Sequence, residues 1–237
     1  MKVYLDNNVL IDIESGKYQL SDFLSIAKVD YYYSDAHLEE LLEAKGNPKI
    51  SQEGRLTLIS KICGQKCILT GGYKEPEFIE KDVVEMYRIV DTPIRKYIGA
   101  TAQKGANTFD KIRKELGFDS YRFNNEDPKN VLVVIDDRMR AKLGMGLSEY
   151  LIRTEAFGGK ALYNTLLNMI DTANYWGDSK THHSEIARLY DASHAYLASV
   201  CDVLVTGDKK MRAKIKAIYS FLQIDTKVMS AKDFLKQ

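Results

Sequence analysis

Residues 190–210 read YDASHAYLASVCDVLVTGDKK, and this stretch decides the fold class. It predicts a helix to about residue 200, the short apolar strand VLV at residues 203–205, and a basic helix after Asp208. Alternation of helix and strand is typical of a parallel sheet, because parallel neighbours need crossover helices. Two acids, Asp191 and Asp208, lie on either side of this strand along the chain.

The first 48 residues repeat the same alternation. KVYL at residues 2–5 predicts a strand, and the helix that follows it opens at Asn7. VDYYYSD at residues 29–35 predicts a second strand, and Ser34 is a suitable N-cap for the helix after it. Both ends of the chain therefore share one architecture.

The middle of the chain differs, because residues 49–183 consist largely of predicted helices separated by glycine-rich breakers. KCIL within this segment predicts a third strand, and TKVM near the end of the chain predicts a last one. We therefore expect a single α/β domain over residues 1–237, with a three-layer α/β/α arrangement and a mainly parallel central sheet. Its core comes from residues 1–48 and 184–237, and residues 49–183 form a large helical insertion that also supplies part of the core.

Composition excludes several classes of protein. A chain of 237 residues that is 45% hydrophobic can bury one large core. Its 34 Lys and Arg against 33 Asp and Glu give a net charge of +1, so nucleic-acid binding must depend on local patches. The sequence has no run of about 18 apolar residues, and we expect neither a signal peptide nor a disulfide framework from its charged opening and three cysteines. We expect a cytoplasmic protein without a membrane partner.

Three of the four candidate acids follow a strand, and in a parallel sheet ligands gather at the carboxyl ends of the strands. Asp6 follows the first strand and Asp208 follows VLV, whereas Glu40 lies in the helix after the second strand. Asp191 lies near the start of the helix that leads into VLV. Two carboxylates 4 Å apart repel by about 4 kcal/mol at an effective dielectric constant of about 20, so such a group needs a counter-charge.

Divalent cations are the counter-charge that an all-oxygen set selects, and the hard ions Mg²⁺ and Mn²⁺ suit carboxylates best. No Lys, His or Cys belongs to the set, which favours a metal over acid–base chemistry by protein groups alone. Two such ions can activate a water molecule and stabilise both the attacking and the leaving oxygen of a phosphoryl displacement. The acids therefore predict hydrolysis of phosphodiester bonds by a two-metal-ion mechanism.

Structural interpretations of the same acids stay open. Asp208 precedes a basic helix that it could cap, and Asp6 could simply open a turn. Glu40 shares the polar side of its helix with Glu39 and Glu43, as on an ordinary solvated face. Helical spacing alone does not separate Glu40 from Glu39 as the second acid.

Three stretches resemble the four motifs of PIN-domain nucleases. YLDNNVLIDI resembles the opening of that family, in which Asp6 and Asn8 match the Asp at the end of the first strand and the Asn two positions later. SDAHLEELLE is similar to the second motif, which Ser34 and Glu40 match. DASHAYLASVCDVLVTGD resembles the third and fourth motifs, and the matching residues are Asp191, Thr206 and Asp208.

This resemblance implies a PIN-like fold and a metal-dependent endoribonuclease that leaves 5′-phosphate and 3′-hydroxyl ends on RNA. It assigns metal binding and catalysis to the four acids, with support from Asn8, Ser34 and Thr206. The family includes VapC-like toxins, so a role as a toxin or defence effector is open, as are an antitoxin or other regulatory partner and a homodimer. Compact members have far fewer residues between the second and third motifs than this chain has.

Basic residues crowd the helix that begins after Asp208. Lys209, Lys210 and Arg212 lie in its first turn, where the helix N-terminus also favours phosphate. We expect them to bind RNA, and a solvated basic helix face is the alternative.

Two other functions stay open. One is a PIN-like RNA-binding module without turnover. The other is a phosphatase of the haloacid dehalogenase type, whose motif has a second Asp two positions after the first, where this chain has Asn8.

Overall fold

The computed structural model is of an α/β protein whose described part contains a mixed, mostly parallel six-stranded sheet. Among these residues no helix has the length and apolarity needed to cross a membrane. The chain forms two compact units. The first consists of residues 1–97, 197–209 and 225–237, and the second consists of residues 98–196 and 210–224. The residues described are 1–47, 50–70, 75–91, 113–118, 123–154, 156, 158–177 and 182–237.

The sheet belongs to the first unit, and its strand order is β4-β3-β2-β1-β5-β6. Every neighbouring pair of these strands is parallel except β3 and β4. The strands predicted at KVYL, VDYYYSD, KCIL, VLV and TKVM are confirmed, whereas β4 was not predicted. The strands are β1 (Lys2–Leu5), β2 (Asp30–Ser34), β3 (Lys66–Leu69), β4 (Glu77–Glu80), β5 (Val203–Val205) and β6 (Lys227–Met229).

The strand order reverses at β1, which is a central strand. From β1 the chain builds β2, β3 and β4 toward one edge, and it later adds β5 and β6 on the other side. Such a switch point leaves a crevice at the carboxyl ends of the two diverging strands. Leu5 is paired with Val205 in the parallel register, so Asp6 and Thr206 leave the sheet at the same level. The Asp6 N–H also donates to the Val205 carbonyl at 2.9 Å.

Alternate strand residues build the core of the first unit. Val3, Leu5 and Val205 are buried in one cluster with apolar residues of the surrounding helices, as the period-2 pattern of a strand requires. Tyr4, between two of them, is fully buried elsewhere. The described helices of this unit are α1 (Asn7–Glu14), α2 (Leu20–Leu24), α3 (Asp35–Glu43), α4 (Gln52–Cys63), α5 (Val83–Val90) and α11 (Ala231–Phe234).

The described part of the second unit is helical. It includes α6 (Pro128–Leu143), α7 (Leu147–Arg153) and α8 (Gly159–Thr172), while α9 (His182–Ala198) and α10 (Lys209–Leu222) contribute to both units. An ion-pair network joins three of these helices, because Asp171 accepts from Arg188 Nε at 2.5 Å and lies 2.8 Å from Lys214 Nζ. Lys214 is 4% exposed, so this residue of the basic helix is part of the protein interior. The organisation as one domain with an insertion stays a prediction.

Candidate active site

Hydrogen bonds join the carboxyl ends of β1 and β5, and the residues that make them are those of the predicted motifs. Asp6 Oδ2 accepts from Thr206 Oγ1 at 2.7 Å and also from the Asn8 amide. Asn8 Nδ2 lies 2.9 Å from Thr206 Oγ1, and Asn8 Oδ1 accepts from the Gly207 N–H at 2.7 Å. The Asp208 N–H donates to Thr206 Oγ1 at 3.2 Å. Residues 200 positions apart in the chain thus meet at the switch point of the sheet.

Asp6 is also the N-cap of α1. Its backbone is extended, with φ −66° and ψ 155°, and its Oδ1 accepts from the Asn7 N–H at 2.8 Å. Asp6 is 4% exposed, and the donors around its carboxylate stabilise the negative charge. Asp6 therefore has a structural role as a helix cap and is also available as a site residue. The two interpretations are compatible, because capping places the carboxylate at the end of β1.

Asn7 links Glu40 to the loop after β1. Its Nδ2 donates to Glu40 Oε2 at 2.6 Å and reaches the His37 carbonyl at 3.5 Å. On the other side, Asn7 Oδ1 accepts from Arg55 Nη1 at 3.5 Å. Arg55 is buried and is held by a bidentate ion pair with Glu14, at 2.6 Å for both bonds. The contact with Asn7 places Glu40 beside the residue that follows Asp6.

A buried polar network supports the start of α3. The Ser34 N–H donates to His37 Nδ1 at 3.1 Å, and His37 Nε2 lies 2.7 Å from the Leu5 carbonyl. The N–H can only donate and the carbonyl can only accept, so His37 is neutral and carries its proton on Nε2. Tyr4 joins the network through a 2.6 Å hydrogen bond between its hydroxyl and Ser34 Oγ. Ser34, predicted to support the site, thus connects β2 with the end of β1.

Negative charge is concentrated around Tyr4. Burial raises the pKa of Tyr4 well above its ordinary value, the hydrogen bond with Ser34 lowers it, and the carboxylates of Asp6, Asp35 and Glu40 raise it further. Asp35 is 2% exposed at the first position of α3. Sequence reasoning missed this acid, although its place directly after β2 is the same signal that identified Asp6.

The remaining predicted acids have different surroundings. Asp208 is exposed and immediately precedes α10. Asp191 is half-buried in the middle of α9, not near the start of the helix as predicted, because the helix begins at His182. It belongs to the second unit, whereas Asp6, Glu40 and Asp208 belong to the first. Over the described ranges, no group of three or more His, Cys, Asp or Glu side chains is arranged to hold a metal ion.

The predicted RNA-binding residues begin α10. Lys209 and Lys210 are exposed and Arg212 is half-buried. Lys210 Nζ donates to the Gly177 carbonyl at 3.3 Å, so this side chain also contacts the loop after α8.

The donor atoms around the carboxyl end of β1 are oxygens. Carboxylates of Asp6 and Glu40, the amide oxygen of Asn8 and the hydroxyl of Thr206 are of the type that Mg²⁺ and Mn²⁺ prefer. Both ring nitrogens of His37 are engaged within the protein, which removes the nearby imidazole from the donor set. The chemistry of this set therefore fits a hard divalent cation.

No family model matches the chain, and the searches of curated proteins and of solved structures return no match either.

Proposed function

We propose that this protein is a metal-dependent endoribonuclease with a three-layer, PIN-like core. One observation carries the proposal: Asp6 and Asn8 after β1 are hydrogen-bonded to Thr206 and Gly207 after β5 across the switch point of the sheet. Ligands of open α/β sheets bind at that place. The four residues belong to the first and last of the motifs that resemble PIN nucleases.

Asp6 and Glu40 are the residues proposed to hold Mg²⁺ or Mn²⁺ in this unit, together with Asp208, and Asp191 is the fourth proposed acid. The bound ions would activate water and stabilise charge in the displacement at phosphorus. The contribution of the chain itself is positioning. Thr206 and Asn8 orient the Asp6 carboxylate, and Asn7 orients that of Glu40.

RNA is the proposed substrate, and Lys209, Lys210 and Arg212 are the proposed contacts with its phosphates. With a net charge of +1 the chain has little overall attraction for polyanions, so these local cations carry the electrostatic part of binding. A role as a toxin or defence effector, with a regulatory protein or a second copy as partner, is part of the same proposal.

One observation favours the alternative of an RNA-binding module without turnover. The Asp6 carboxylate accepts from Asn7, Asn8 and Thr206, and Glu40 accepts from Asn7, so protein donors already stabilise both carboxylates. Internal hydrogen bonds of this kind reduce the need for a metal counter-charge.

Incubation of the purified protein with labelled single-stranded and structured RNA and DNA, with Mn²⁺ or with EDTA, separates these functions. We expect RNA cleavage with Mn²⁺ only, and we expect Asp6→Asn and Asp208→Asn to abolish it while the circular dichroism spectrum stays unchanged. Asp225→Asn, which changes an exposed acid, is the matched control. Binding of RNA without cleavage at any Mn²⁺ concentration would favour the binding module, and cleavage that survives in Asp6→Asn would reject the assigned site.

A further inference from the structure

The loop after α8 has an unusual backbone. Asn174 and Trp176 both have positive φ angles, 60° and 50° respectively. Asn adopts this left-handed region more readily than most residues, but for a bulky side chain such as Trp it is a strained conformation. The only tryptophan of the chain thus has a backbone conformation that is unfavourable for a bulky side chain.

Specific contacts hold this loop in place. The backbone N–H of Trp176 donates to Asn124 Oδ1 at 2.6 Å. The buried neighbour Tyr175 packs edge-on against Phe123, with ring centroids 5.6 Å apart. A Cβ atom on Gly177 would lie 2.4 Å from Asn174 Oδ1, so any larger residue there would displace the Asn174 side chain. The loop is therefore built around the strained residue, and such strain is characteristic of ligand-binding positions.

Trp176 is half-buried, so this residue is partly accessible to solvent. Lys210, from the first turn of α10, donates to the carbonyl of the next residue, Gly177. Burial raises the pKa of the adjacent Tyr175, a side-chain hydrogen bond with Trp176 lowers it, and the charges of Asp127 and Glu126 raise it further. The side chain of Trp176 is therefore held by its buried neighbour Tyr175, and a cation reaches the loop at the next residue, Gly177.

We propose that Trp176 is a stacking platform for an unpaired base of single-stranded nucleic acid, with Lys210 contacting the adjoining phosphate. An aromatic side chain next to a cation is a combination that binds single-stranded nucleic acid. Every base can stack on the aromatic ring, and every phosphate carries a negative charge. The inference rests on the proposed RNA substrate and makes it more specific: the bound strand is unpaired where it crosses this loop.

Tryptophan fluorescence of the intact protein provides a direct test, because Trp176 is the sole source of the signal when tyrosine is not excited. Titration in EDTA with an oligouridylate removes any dependence on cleavage. We expect saturable quenching by the oligouridylate and none by an abasic oligomer of the same length, which carries phosphates without bases.

Variants test the same contact through affinity for labelled oligouridylate. Trp176→Ala should weaken binding about tenfold, within the range known for base–aromatic stacks, while Trp176→Phe should retain part of the affinity. Lys210→Ala should lower affinity and reduce the dependence of binding on salt. Tyr150→Ala removes a half-buried aromatic from the regular helix α7 and is the matched control, with unchanged affinity expected.

The outcomes separate this inference from the proposed function. Oligouridylate that binds without quenching, and equally well to Trp176→Ala, overturns the stacking platform and leaves the nuclease proposal standing. Absence of any binding overturns the platform, and the Mn²⁺ cleavage assay decides the nuclease proposal independently. Quenching and weakened binding of Trp176→Ala without cleavage in Mn²⁺ support the platform and reject the nuclease.

Discussion

Asn7 and Asn8 are adjacent in the chain but serve opposite sides of the candidate site. Asn8 contacts the loop after β5, whereas Asn7 contacts Glu40 on α3 and Arg55 on α4. Successive residues of a helix point about 100° apart, so the first turn of α1 directs the two amides to different partners. The pair of residues after Asp6 thereby connects three other elements with the end of β1.

The second acid can be identified by comparing two neighbouring glutamates. We expect Glu40→Gln to reduce Mn²⁺-dependent RNA cleavage by more than the roughly 10- to 100-fold that loss of a supporting partner costs. Glu39→Gln, the matched control on the same helix, should change the rate little, because the Asn7 amide contacts Glu40. Single-turnover cleavage rates measure the difference. Equal losses in the two variants, or a larger loss in Glu39→Gln, would reject this assignment.

Gly207 is a second test at the residue scale. A Cβ atom on this residue would lie 3.1 Å from Asn8 Oδ1 and 3.5 Å from Asp12 Oδ2, so Gly207→Ala pushes the Asn8 amide away from its present position. We expect cleavage to fall by about 10-fold, as for other losses of positioning contacts, while the melting temperature changes little. A crystal structure of the variant with Asn8 unmoved and full activity would contradict this expectation.

Regular elements with strong local signals were predictable, and elements that depend on a partner were not. KVYL and VLV are short apolar runs bounded by polar residues, and both form strands at the predicted positions. β4 reads EFIE, with glutamates at both ends, and it forms an antiparallel edge strand against β3. Its sequence carries little strand signal because its stability comes from pairing and from packing of Phe78 on Tyr32.

Asp136 connects two helices of the second unit through hydrogen bonds, and its titration leads to a prediction about the stability of these helices. Its Oδ1 accepts from the N–H of Leu147, the first residue of α7, and its Oδ2 accepts from Arg140 Nε at 2.8 Å. Burial alone would raise the pKa of Asp136, but Arg140 and the Leu147 N–H together lower it below its ordinary value. A carboxyl whose pKa is lower in the folded state stabilises the protein above its unfolded pKa, about 3.9, and this contribution is lost as the pH falls.

We therefore expect Asp136→Ala to lower the melting temperature at neutral pH. The difference in melting temperature between the variant and the wild type should shrink as the pH drops below about 3.9. Asp137→Ala, which changes the exposed neighbour, should match the wild type throughout. Thermal unfolding followed by circular dichroism across this pH range measures both. A destabilisation of Asp136→Ala that stays constant down to acidic pH would show that its charge is not responsible.

For the molecule as a whole, the sequence predicted Asp6, Asn8 and Thr206 after their strands, but not three residues that make the contacts around them. Asp6 and Thr206 could be placed together because parallel strands end at the same edge of a sheet. Arg55, His37 and Asn7 could not, since each acts through a contact with a distant part of the chain that no local pattern encodes. The sheet order, which creates the switch point beside β1, is likewise a property of the assembled unit.

Metal binding can be tested through the stability of the whole molecule, without any nucleic acid. A ligand that binds only the folded state raises the free energy of unfolding by about 2.7 kcal/mol at a hundred times its Kd, so saturating Mn²⁺ should raise the melting temperature by several degrees. Asp6→Asn should lose most of this increase because it removes one of the charges that attract the ion, whereas Asp225→Asn, at an exposed position, should keep it. Equal increases in the wild type and Asp6→Asn would place the metal elsewhere. No increase in any variant would favour hydrogen-bonded carboxylates that need no cation, and with them the RNA-binding module.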